Sequence, residues 1–173
     1  VYALSSAVKH WPLAAEALSE DSNRGFAAIA AGVADADRVI RRKVAFLLGT
    51  LVLQARDKWN TDEMPGEVRT LLAEHAKAAG GDIFADLITS LAAQGVLRSA
   101  VAALAASAGS TDADDVEYEE NLVRALANAA SAGGLTPEEK AQVAAIWAKW
   151  GAEGQAARGL EGQEANDISD ALA

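Results

Sequence analysis

Residues 37–54 read DRVIRRKVAFLLGTLVLQ, and the periodicity of this stretch decides the fold class. Ile40, Val44, Leu47, Leu48 and Leu51 fall at i, i+4, i+7, i+8 and i+11, which is one face of a helix. Phe46, Val52 and Leu53 are apolar on other faces, so the pattern predicts a helix packed on more than one side. Lys43, Thr50 and Gln54 fall at i, i+7 and i+11 and form a narrow polar stripe. A buried helix with one polar stripe is expected to line something. The stretch opens on a basic cluster, Arg38, Arg41, Arg42 and Lys43, in a chain whose formal net charge is −10.

The rest of the composition agrees with helix. Of 173 residues 42 are alanine, the best helix former, and only three are proline. β-branched residues are sparse, so the expected fold class is all-α. No cysteine is present, which excludes disulfides and thiolate metal sites. No run of about 18 uncharged apolar residues occurs, so no membrane span is expected. Residues 1–110 hold 12 acids and 11 bases, whereas residues 111–173 hold 13 acids and 4 bases. An acidic field of that kind disfavours nucleic acid and anionic membrane as partners.

Local signals divide the chain further. Trp11-Pro12 breaks the opening segment, and residues 13–18 resume it. Gly25-Phe26 opens a short helix. Pro65 starts EVRTLLAEHAKAA, closed by Gly80-Gly81, and Asp82 is placed to cap IFADLITSLAAQ. Gly95 separates that segment from VLRSAVAALAAS. After a polar acidic loop, VEYEENLVRALANAAS forms a long helix closed by Gly133-Gly134. Thr136-Pro137-Glu138-Glu139 then supplies a cap, a proline and acids suited to the first turn of KAQVAAIWAKW. Two units are expected: a repeat domain over residues 1–150, and an acidic, glycine-rich tail over 151–173 that frays or adds a short terminal helix. The N-terminus reads as the middle of a helix, which suggests missing upstream repeats.

The long helices can be placed in register. VYALSSAV, AFLLGTLV and VRALANAA superpose with Leu4, Leu48 and Leu126 aligned. The first interval, 44 residues, lies within the armadillo and HEAT period of about 40–47. The second, 78 residues, implies extra helix around residues 56–81. The polar stripe travels with the register: Ser6 and His10 match Thr50 and Gln54, while Asn121 and Asn128 match Lys43 and Thr50. The expected fold is therefore an armadillo/HEAT-like helical-repeat solenoid with a polar ladder on its concave face, the face with which repeat proteins bind partners.

YALSSAVKHWPLAAEAL, then RRKVAFLLGTLV about forty residues on, then AAQGVLRSAVAAL, resembles the armadillo-type nucleotide exchange factors of DnaK-type heat-shock chaperones. The likeness is to their cytosolic fungal and animal members. It implies a curved helical array that grips one lobe of the chaperone ATPase domain and so promotes ADP release. It also implies a basic contact residue at the start of the AFLL helix, which falls on Lys43. The chain ends ISDALA, unlike the retention signals of endoplasmic-reticulum relatives, so a cytoplasmic location is expected. The remaining ladder positions, Thr50, Gln54, Ser6, His10, Asn121 and Asn128, rest on periodicity alone.

Such a factor carries no reactive group, and none is expected here. No phosphate-cradling glycine loop or recognisable nucleophile frame occurs, so neither enzymatic activity nor a cofactor is anticipated. His10 and His75 sit in separate repeats and do not read as a metal pair. Asp112, Asp114, Asp115, Glu117, Glu119 and Glu120 lack the turn glycine and spacing of a calcium loop and read as a solvated loop and helix start. Arg41 and Arg42 read as capping or solvating a helix face. The expected partner is the chaperone ATPase domain, met by a monomer. The alternative is a general armadillo module binding an extended peptide, against which Trp11, Trp59, Trp147 and Trp150 all lie off the ladder.

Overall fold

A computed structural model describes residues 3–4, 8, 12–20, 24–57, 66–79 and 83–173. Among these residues the regular structure is entirely helical: α1 (Pro12–Ser19), α2 (Gly25–Gly32), α3 (Arg38–Asp57), α4 (Gly66–Ala79), α5 (Ile83–Ala93), α6 (Val96–Ser107), α7 (Ala113–Ser131), α8 (Pro137–Ala156) and α9 (Gly162–Leu172). The all-α expectation is met.

The helix ends follow local chemistry. The Asp112 side chain accepts from the Asp114 backbone N–H and caps α7. At α8, Thr136 and Glu139 form a reciprocal capping box with Pro137 in the first turn. Gly151 (φ 59°, ψ −178°) breaks α8, a left-handed backbone that glycine adopts without a Cβ penalty. Beyond it the chain stays ordered: Leu160, Ile168 and Leu172 are buried in the common core.

Packing follows a fixed order. α1 lies on α5, α2 on α6 and α3 on α7, so three successive helices stack in order on three later ones, with α4 passed over. α6 then packs on α8 and α7 on α9. The contact between α3 and α7 is the most extensive. Leu48, Leu51 and Val52 on one side and Leu122, Val123 and Leu126 on the other are fully buried. At about 25 cal/mol per Å² of apolar area, burying each leucine contributes roughly 1.5–3 kcal/mol before entropy is charged against it. α2 approaches α3 closely at Gly32, where a Cβ would stand 2.9 Å from a Val44 methyl.

The open side of α3 departs from expectation. Phe46 and Leu53, read as packed, are 52% and 42% exposed, and Ile40, assigned to the buried face, is 42% exposed. Periodicity identifies an apolar arc but not whether this chain supplies a helix to cover it. Here Val44, Ala45, Leu47, Leu48, Leu51 and Val52 form one buried arc, the opposite arc through Val39, Phe46 and Leu53 is uncovered, and Ile40 is exposed near the start of the helix.

Candidate functional site

The ladder positions separate once placed in three dimensions. Lys43 and Thr50 are half-buried on α3, and the Thr50 hydroxyl donates to the Phe46 carbonyl 3.0 Å away, within its own helix. Gln54 is 5% exposed, and its Nε2 donates to the Val8 carbonyl at 2.6 Å. It therefore ties α3 to Val8, ahead of α1, with its Oε1 buried and without a hydrogen-bond partner among the described residues. Asn121 and Asn128 are half-buried on α7. Ser6 and His10 lie outside the described residues, as do Trp11 and Trp59.

Leu53, Asn128 and α9 meet around a groove of about 390 Å³. Arg124, Ser131, Glu164 and Asp167 supply its polar lining. Arg124 donates to both oxygens of Glu164, with Nη2 to Oε2 at 3.0 Å, and also pairs with Glu120. The hydrogen bond to Glu164 raises the Arg124 pKa further above its ordinary value, so the guanidinium stays charged. Asp167 is exposed and accepts from the Gln163 amide at 2.7 Å. The groove thus joins Leu53 of α3, Asn128 of α7 and the carboxylates of α9.

The arginines of the basic cluster and the first four acids of the acidic run are partners of each other. Arg38 pairs with Asp112 at 2.6 Å, Arg41 with Asp115, and Arg42 with both Asp114 and Glu117. The Arg41 guanidinium also stands 5.4 Å above the Tyr118 ring centroid, and the Tyr118 hydroxyl donates to the Val33 carbonyl. Burial pushes the Tyr118 hydroxyl up to about 12. Arg38 holds the Asp112 carboxyl below its usual range. Burial alone would raise Asp115, but the Ser110 hydroxyl at 2.9 Å and Arg41 outweigh it and lower it. Pairs advance in the same direction on both helices, at separations of 72 to 75 residues, so α3 and α7 run parallel. The expectation that these groups are merely solvated or capping is corrected: they form the seam between two helices. The signal was present as RxxRR opposite DxDDxE at the starts of two long helices.

Sequence reasoning also missed a buried pair. Arg158, 5% exposed, donates through Nε to the wholly buried Glu119 at 2.8 Å and through Nη2 to the same oxygen. Its Nη1 donates to the Gly154 carbonyl at 2.8 Å, and its guanidinium lies 4.1 Å from the Trp150 ring centroid. Trp147 donates to Ser169 at 3.0 Å and meets Trp150 edge-on. Both tryptophans therefore hold the C-terminal segment down. Among the described residues no group of three or more His, Asp or Glu side chains is gathered to hold a metal ion.

Over 151 residues the chain is 41% identical to the Hsp70 nucleotide exchange factor FES1 of Cryptococcus neoformans var. neoformans serotype D (strain B-3501A). The chain is similar to that exchange factor over most of its own length. The match covers 86% of this chain and 38% of the relative, so the chain spans well under half of that protein's length. No family model matches the chain, and no solved structure matches it. The resemblance carried by YALS and RRKVAFLLGTLV is thus borne out across most of the sequence.

Proposed function

We propose that this chain is the chaperone-gripping part of a nucleotide exchange factor, which binds the ATPase domain of an Hsp70-type chaperone and promotes ADP release. The observation that carries the reading is the 41% identity to a relative of that named activity over 151 residues. The ordered stacking of α1 on α5, α2 on α6 and α3 on α7 supports an armadillo-like solenoid. In that array α3, α7 and α9 share one face, and Lys43, Thr50, Asn121 and Asn128 lie on it. Gln54 serves as a brace within the array. Trp147 and Trp150 are engaged in internal contacts, which counts against a peptide groove built on tryptophans. We place the protein in the cytosol, acting as a monomer.

Exchange of this kind needs no reactive group. A protein that binds the ADP-free ATPase domain more tightly than the ADP-bound one weakens ADP by the same factor. A hundredfold weakening requires about 2.7 kcal/mol of differential contact, within reach of a few well-placed side chains. The test is release of fluorescent ADP from an Hsp70 ATPase domain, with and without this chain. Acceleration supports the proposal; no acceleration and no binding would sink it.

A further inference from the structure

Among the described residues, six large apolar side chains are exposed, and four of them, Val39, Ile40, Phe46 and Leu53, belong to α3. Val39, Phe46 and Leu53 are separated by seven residues each. Seven steps of about 100° fall only about 20° short of two turns, so the three share one line along the helix. Their exposures are 50%, 52% and 42%. A lone exposed leucine is ordinary, but a continuous apolar line on a central helix marks a contact surface.

The charges around this line narrow what can cover it. Arg38, Arg41 and Arg42 are drawn into the seam with α7, so the basic head of α3 is neutralised within the protein. Lys43 borders the line between Val39 and Phe46. At the far end, Leu53 enters the groove whose mouth carries Asp167, while Glu164 is engaged by Arg124. The surface is therefore apolar along its length, positive on one flank and negative at the end.

We infer that Phe46, flanked by Val39 and Leu53, is the apolar anchor of the partner face, and that the chaperone ATPase domain meets it with an apolar ridge bearing a cationic side chain opposite Asp167. This rests on the exchange-factor reading and adds to it that affinity comes from the apolar line, with charge setting orientation. Buried aromatic anchors dominate binding energy, whereas charged groups at the rim contribute chiefly to orientation and rate.

The test measures binding of a labelled, ADP-free Hsp70 ATPase domain to the full chain and its variants. Phe46→Ala should weaken binding about thirtyfold or more, with Phe46→Asp worse still and helicity unchanged. Asp167→Lys should weaken it about tenfold. Leu71→Ala, which removes an exposed leucine of α4 away from the line, should stay within about twofold. Wild-type binding that Phe46→Ala and Phe46→Asp leave within twofold would overturn the anchor while sparing the exchange-factor reading. No binding by the wild-type chain would overturn both. Concentration-dependent dimerisation that Phe46→Ala abolishes, without loss of ATPase-domain binding, would assign the line to a second copy and also overturn the anchor.

Discussion

Two arginine seams meet α7, and they differ in depth rather than in chemistry. On one side Arg38, Arg41 and Arg42 of α3 reach the first turns of α7, where Arg38 and Asp112 remain about half exposed. On the other, Arg158 reaches Glu119 with both side chains almost wholly out of water. Water screens the outer pair, Arg38 and Asp112, which contributes little, whereas Arg41 and Asp115 are 19% and 12% exposed and count for more; the array acts mainly by matching pattern to pattern. The second pair is desolvated, so its attraction is repaid only while both partners are present. The exposed seam thus sets direction and register between α3 and α7. The buried pair determines whether the C-terminal segment stays docked.

The contrast can be broken most sharply at Arg158. Arg158→Ala leaves Glu119 charged, buried and unpaired, and should cost about 3–5 kcal/mol, measured by urea unfolding. Replacing both, with Glu119→Leu and Arg158→Met, should recover most of that loss, because an apolar pair carries no desolvation debt. Arg41→Ala comes next, at about 1–3 kcal/mol, because Asp115 and Tyr118 are partly enclosed around it.

Acid should weaken the seam between α3 and α7. The Asp112 and Asp115 carboxyls are held below their usual range, so the stability they contribute is present above about pH 4, the unfolded value, and is lost as pH falls through their lower folded values. Thermal melting followed downward from neutral pH should show that decline, and Arg41→Ala should show less of it. Arg38→Ala should have the smallest effect, vanishing at high salt because the pair is screened. A large, salt-independent loss at Arg38 would contradict the distinction between the seams.

Legibility in the sequence followed the same division. Helices announced by repeated spacing or by a cap appear where expected: the stretch around Leu48 is α3, and Thr136-Pro137 opens α8. Local patterns are written in neighbouring residues, so one sequence reveals them. Gln54 shows the limit, because its polar position on the stripe was visible but the Val8 carbonyl it braces was not. Arg158 and Glu119 are 39 residues apart and sit in unremarkable acidic surroundings, so nothing local marked them as a buried pair. Phe46 was misread for a related reason: hydrophobicity reports what a side chain prefers, while exposure depends on where the other helices stop.

The account stands or falls on preference between two states of the partner. Its most direct measurement is the affinity of this chain for one Hsp70 ATPase domain, titrated once without nucleotide and once saturated with ADP. Tighter binding to the ADP-free form by about tenfold or more is predicted, matched by an equal weakening of ADP when the chain is bound. Equal affinity for the two forms would contradict the account, however tight the binding proved to be.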